Sequence, residues 1–241
     1  MSSSLTIQPL QIGNKGLWAA FTVIVCWFVS LVFLLNFTID FTNPAVYLLV
    51  LLQTHLYTGI FITAHDSIHG VVSSDKKVNH WIGFFCASLF AFNNFKVLST
   101  NHHLHHRHSA TPDDPDFHDG NPHFLAWYYA FLKEYISWQQ IVLMAISYNI
   151  LKLYFNWENL VIFWMLPAVL STFQLFYFGT YSPHKGEHHN PPYNAKSQPL
   201  NHLKAFLTCY FFGYHYEHHA YPYLPWWALP MAREKIEAIK K

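Results

Sequence analysis

The chain has 241 residues, 52% of them hydrophobic, 19% aromatic and only 11% charged, against about 25% charged in soluble domains. Eighteen histidines outnumber the fourteen lysines and arginines, so one polar residue type is concentrated in a membrane-like composition. A net charge of +1 excludes an electrostatic nucleic-acid binder, and three scattered cysteines, Cys26, Cys86 and Cys209, exclude a disulfide framework.

A helix needs about 20 apolar residues to cross a bilayer. The first such run, 17–39, follows a single basic residue, Lys15, and is too long for the core of a cleaved leader. The turn "DFTNP" (40–44) joins it to a second run, 45–64, which ends on "HDSIH" (65–69). A fifth apolar stretch, 78–98, contains Asn79, His80, Asn93, Asn94 and Lys96 and runs into "HHLHH" (102–106). If both histidine clusters serve one centre they lie on one side of the bilayer, so this stretch is expected to lie in the interface or to dip and return. Runs 138–155 and 160–181 form a second hairpin around "NWEN" (156–159) and return the chain to the histidine side at His184. Beyond a polar loop, 185–199, a short apolar segment leads into "HYEHH" (215–219). "YPYLPWWALP" (221–230), too rich in Pro and Trp for a span, reads as an interfacial cover.

The expected architecture is therefore all-α and integral to the membrane: four transmembrane helices in two hairpins, with interfacial helices, in a single domain over residues 1–241. With the amino terminus on the histidine side, only Lys152 among the Lys and Arg falls near the opposite face. The histidine boxes and both termini are then cytoplasmic.

Three clusters share a pattern: His65-x-x-x-His69, His102-x-x-His105-His106 and His215-x-x-His218-His219. Residues three and four apart share a helix face, so the first and last histidines of each box can converge on one ion. Adjacent residues diverge by about 100°, so His105 and His106, like His218 and His219, can reach two different ions, and the spacing predicts a dinuclear site. A lone H-x-x-x-H at an interface is equally a hydrogen-bonded pair; H-x-x-H-H twice, at equivalent places, is not. His184 is a ninth candidate. His103, His108 and His118 are weaker ones, His55 reads as a hydrogen-bonded interhelical histidine, and His80, His123, His188, His189 and His202 read as surface residues. Neutral imidazole suits Fe, Zn, Cu or Ni rather than Mg or Ca; a shielded membrane site favours iron and O₂ chemistry on an apolar substrate. Asp66, Asp114, Asp116 and Glu217 are placed to take the second N–H of a metal-bound imidazole, with Asp113 and Asp119 weaker. The first box lacks the general-base glutamate of H-E-x-x-H, which disfavours zinc hydrolysis. A metal transporter, the remote alternative, should carry its ligands at the midplane, where only His55 lies.

The three boxes and their placement resemble the membrane fatty-acid desaturase and hydroxylase superfamily. More narrowly, "FITAHDSIHG", "LHHRHSATPDDPDFH", "LFYFGTYSPHK" and "FGYHYEHHAYPYLPWW" resemble the β-carotene ketolases, over about residues 51–229. The resemblance implies a non-haem di-iron centre held by His65, His69, His102, His105, His106, His184, His215, His218 and His219. It assigns Asp114, Asp116 and His118 of "DPDFH" to orienting imidazoles or positioning substrate. It further implies O₂ as co-substrate, an external electron donor such as ferredoxin, and a carotenoid drawn from the lipid, oxidised at C4 of its β-ionone ring to the ketone. A carotenoid 3-hydroxylase or a fatty-acyl desaturase would use the same boxes, because regiochemistry lies in pocket shape. Phe61, Trp127, Tyr128, Phe178, Tyr210 and Phe212 are candidate pocket walls. "YSPHK", where Leu-Pro-His-Arg is expected, keeps its histidine; "HDSIHG" adds a hydroxyl near the metal.

Overall fold

A computed structural model describes residues 7–10, 13–118, 120–186 and 192–239 of the chain; Asp119, His188 and His189 lie outside the described residues. Every regular element among the described residues is helical. In chain order these are α1 (Lys15–Leu35), α2 (Ala45–Ile68), α3 (Lys76–Leu89), α4 (Phe95–His108), α5 (Phe124–Tyr135) and α6 (Trp138–Leu151). They are followed by α7 (Trp157–His184), α8 (His202–Cys209), α9 (His215–Ala220) and α10 (Leu229–Ile239).

Three of them, α1, α2 and α7, are long and apolar enough to cross a membrane. At 1.5 Å per residue they measure about 31, 36 and 42 Å, against a hydrocarbon core of about 30 Å. Their outward side chains are those a lipid-facing surface needs: Phe21, Phe28, Val29 and Phe33 on α1 and Leu48 and Leu51 on α2 are exposed. The inward faces meet in one core around Val23, Trp27, Tyr57, Ile60, Leu160, Trp164 and Leu175, with α2 packed against α1, α3 and α7.

The helix ends follow from individual residues. The first apolar run stops being helical at Leu35, short of 39, where Asn159 Nδ2 on α7 donates to the carbonyls of Leu34 (2.8 Å) and Phe37 (2.7 Å) just at and beyond the end of α1. The second continues past 64 and carries His65 within the helix, until Gly70, at φ +71, supplies the left-handed residue that closes the last turn. The stretch 78–98 is a helical hairpin. Asp75 caps α3 by accepting from the Lys77 and Val78 amides, and Asn94 caps α4 in the same way through Lys96 and Val97. Run 138–155 is helical only to Leu151, about 21 Å, and continues as turns to Phe155. α7 contains π-helical stretches at Leu160–Met165 and Tyr177–Tyr181, the second just before His184.

Two pairs of non-glycine residues hold left-handed backbone: Ala91 and Phe92 before α4, and Tyr210 and Phe211 before α9. Such residues persist only where their surroundings over-determine them. Here Gln140 Nε2 donates to the Ala91 carbonyl (3.3 Å), and Tyr210 is buried against His55 and Trp226. Both turns aim an H-x-x-H-H helix at the same point.

Candidate metal centre

The nine candidate histidines of the sequence converge. His65 and His69 come from the end of α2, His102, His105 and His106 from α4, His184 from the last turn of α7, and His215, His218 and His219 from α9. Their donor atoms sort into two groups of four. His65, His69, His102 and His218 form one, and His105, His184, His215 and His219 the other, with the ligand atoms of each group within 4.8 Å of one another. His106 touches both groups: its Nε2 lies 2.9 Å from His218 Nε2, and its ring stacks on His219 at 4.3 Å.

This donor set fits a pair of metal ions. His69 and His102 meet Nε2 to Nε2 at 2.7 Å, His215 and His219 at 2.9 Å, and His105 and His219 at 3.0 Å. Several neutral imidazoles cannot all hydrogen-bond through one small volume, since each has a single N–H. A cation bound at about 2.0–2.1 Å from each nitrogen accepts every lone pair at once. The buried His65 Nε2 has no hydrogen-bond partner and faces the same volume. Burial, reinforced by neighbouring imidazoles, pushes His69, His102, His215, His218 and His219 well below the usual histidine range, and His106 to about 2. All are neutral at physiological pH, as a metal ligand requires.

Three of the histidines are oriented through Nδ1, which leaves Nε2 for the ion. His105 Nδ1 donates to Asp114 at 2.9 Å, His184 Nδ1 to the Asn194 carbonyl at 3.0 Å, and His65 Nδ1 lies 3.5 Å from Asp66 Oδ1. Asp66 is itself held by the Trp226 amide (3.0 Å), and Asp114 by the amides of Ala110 and Asp116, each at 2.9 Å. Burial depresses His105, but the hydrogen bond and charge of Asp114 outweigh it, so its net shift is upward.

The other expected acids divide. Asp116 stands 3.9 Å from His105 Nδ1 and accepts a hydrogen bond from Tyr135 Oη. Burial lifts its carboxyl to about 6. Glu217 turns away from the imidazoles: it accepts from Ser197 Oγ and from Arg233 Nη1 (3.0 Å), and so ties α9 to α10. Asp113 is exposed, and no hydrogen bond or ring contact joins His118 to either group among the described residues. His103 is exposed, with its ring 6.5 Å from that of His69, while His80 and His123 are exposed as expected. His202 instead bridges Tyr214 Oη and Glu234, both at 3.0 Å. His55, expected to be hydrogen-bonded, is stacked on Tyr210 at 4.3 Å with both ring nitrogens unpartnered.

A cavity of about 580 Å³ leads to the two groups. Its inner end is formed by His65 and His102 of one group and His105 and His215 of the other, and its walls come from α2, α5, α6 and α7. Phe61, Tyr128 and Phe212 line it as expected; Trp127, Phe178 and Tyr210 pack behind it. Phe212 reaches its place, 4.7 Å from the His65 ring, only because residue 179 is glycine: a Cβ there would lie 2.6 Å from Phe212 Cε1. Sequence reasoning did not find Tyr135 or Arg233. Both act through contacts between separate helices and loops, which no local spacing signals.

The family model for fatty acid desaturase matches residues 42–150 and 123–240. The chain belongs to the fatty acid desaturase family. Among its members, a zeaxanthin 4-ketolase from Chlamydomonas reinhardtii is 38% identical over 227 residues, which cover 91% of this chain and 51% of that protein. A beta-carotene ketolase from Paracoccus sp. (strain PC1) is 39% identical over 227 residues, 92% of each chain. A beta-carotene 4-ketolase from Protosiphon botryoides is 39% identical over 207 residues, 81% of this chain and 53% of that one. The chain thus spans about half the length of these algal desaturase-family relatives and nearly all of the Paracoccus protein. No solved structure matches it.

Proposed function

We propose that this desaturase-family chain is an O₂-dependent carotenoid 4-ketolase. It would oxidise C4 of the β-ionone ring of β-carotene, or of its 3-hydroxylated derivative, to a ketone. The observation that carries the reading is the cavity: an apolar space of about 580 Å³, within the ordinary range for small-molecule sites, that ends on imidazoles from both groups. The named activities of the relatives agree with it.

We assign His65, His69, His102, His105, His106, His184, His215, His218 and His219 as the ligands of two iron ions. When bound, the irons would supply activation of O₂ with two electrons from an external donor such as a ferredoxin. Each round exchanges one C4–H for C4–OH; one oxygen atom enters the substrate and the other leaves as water with two protons and two electrons. The geminal diol of the second round loses water to give the ketone. The protein's own part is placement. Phe61, Phe212 and Tyr128 hold the ring, Asp114 and Asp66 fix the imidazoles, and the apolar walls keep bulk water from the oxidant. Ile141 on α6 and Val169 on α7 both line the cavity and are exposed, so the carotenoid enters between these helices from the bilayer.

The same reading gives a single domain with four crossings. His184 meets His105 at a ring distance of 4.9 Å, which supports an even number of crossings between them. α7 is one crossing; α6 with the turns to Phe155 is the other, carrying exposed Ile141, Ile146, Ile150 and Leu153 outward. The scarcity of Lys and Arg beyond Lys152 on the far side supports a cytoplasmic placement of the histidines and both termini.

Pigment analysis of bacteria that accumulate β-carotene and express the chain tests this reading, with His218→Ala as control. The expected result is 4-keto products from the wild type alone. 3-Hydroxy products would mean a carotenoid hydroxylase, and unchanged β-carotene with an altered fatty-acid profile a desaturase; either would overturn it.

A further inference from the structure

Ketone formation requires that the alcohol made in the first round be presented again with the same carbon at the metals. A wholly apolar pocket has no means of preferring that alcohol to the hydrocarbon it came from. At the histidine end of the cavity, the phenol of Tyr135, outside the imidazole set, is placed to do so. Tyr135 closes α5, lines the cavity, and donates its phenol hydrogen to Asp116 Oδ1. The other Asp116 oxygen stands 3.9 Å from Nδ1 of His105. Trp127 Nε1 fixes the loop from the other side by donating to the Asp116 carbonyl at 2.7 Å. Because the phenol's only hydrogen is committed to Asp116, the lone pairs of Tyr135 Oη remain as acceptors toward the cavity. Burial, with the neighbouring carboxylates, pushes this phenol well above its usual range, so it keeps that hydrogen.

Asn93, Tyr128 and Gln140, which also line the cavity, are excluded by position or by commitment. Asn93 lies before α4, whose first residue, Phe95, is already about 10 Å along the helix axis from His102. Tyr128 Oη is bonded to Thr172 at 2.5 Å, and Gln140 is held by the Ser137 amide (2.8 Å) and the Ala91 carbonyl.

We propose that Tyr135, held by Asp116, is the hydroxyl-recognition residue of this site: it accepts a hydrogen bond from the ring alcohol formed in the first oxidation and retains it for the second. The proposal rests on the ketolase reading above. It makes Tyr135 the determinant of whether the chain releases an alcohol or a ketone. A methylene at C4 offers Tyr135 nothing, so the first oxidation does not depend on it.

The test is the product ratio of Tyr135→Phe in cells that accumulate β-carotene. One buried hydrogen bond is worth about tenfold in occupancy. The ratio of 4-hydroxy to 4-keto product is therefore expected to rise about tenfold, with total C4 oxidation within about threefold of wild type. An unchanged ratio would overturn the proposal. A Tyr135 role confined to folding would lower both products together, which would also overturn it. If the variant does not accumulate, wild-type membranes decide through competition against β-carotene oxidation. 4-Hydroxy-β-carotene should inhibit at about one tenth the concentration needed of its 4-methyl ether, which has no hydrogen to donate; equal inhibition would overturn the proposal. A wild type that forms no C4 product at all would instead remove the ketolase reading.

Discussion

Replacing Asp114 with Asn removes one charge and changes almost nothing in shape, so its effect can be worked out bond by bond. Asp114 is 3% exposed. Its oxygens accept from the Ala110 amide, the Asp116 amide and both ways from His105 Nδ1, all within 3.0 Å. In Asn one oxygen becomes an NH₂ donor, and whichever it is faces a backbone N–H that also donates. Leaving that buried donor unpaired costs about 1–3 kcal/mol, and losing the charge-assisted bond to His105 about 1.5–3 kcal/mol. The two together come to roughly 2.5–6 kcal/mol, spread over the loop that follows α4 and the orientation of one imidazole. Loss of such an orienting carboxylate lowers metal affinity or activity by about 10–100-fold. The assay is metal content per chain in detergent-purified protein, together with 4-keto product per cell. Asp114→Asn protein with wild-type metal content and turnover within twofold would refute the argument that this carboxylate orients His105.

Three further outcomes follow from specific contacts. Gly179→Ala forces a Cβ to 2.6 Å from Phe212, and overpacking of this kind costs about 1–3 kcal/mol; the ring can yield only toward His65 or the cavity, so a drop in turnover larger than the drop in thermal stability is expected, measured by product yield and melting temperature. Arg233→Ala leaves Glu217, 0% exposed, as a buried charge that keeps, among the described residues, the Ser197 hydroxyl, a loss of about 3–5 kcal/mol that should appear as protein failing to accumulate in membranes, with recovery in Arg233→Met paired with Glu217→Gln. His105→Ala should abolish turnover and lower bound metal, whereas the exposed His103→Ala should do neither; both are read by metal analysis and pigment profile of matched preparations.

The boxes were legible because helix periodicity is local. His65 with His69, and His215 with His219, share a group as their spacing requires, and His218 and His219 part toward different groups as adjacent residues must. The composition of each group was not legible. His102 joins α2's pair while His105 joins α9's, a sorting set by how α4 passes between those helices. The end of the first span was misjudged at the point where Asn159, over a hundred residues away, donates to carbonyls at and just beyond it. Glu217 was misread because its neighbours in sequence are histidines and its partner in space is Arg233. His55 was expected to find a hydrogen bond and instead found the face of Tyr210. Tyr135 carried no signal, since its meeting with Asp116 depends on a loop.

The claim beneath all of these is that nine imidazoles hold two ions. Metal quantification with iron Mössbauer spectroscopy on active, detergent-purified chain tests it directly. The account predicts two irons per chain in a spin-coupled pair, with fewer in His218→Ala. A fully active preparation holding a single iron per chain, or another metal in its place, would contradict it.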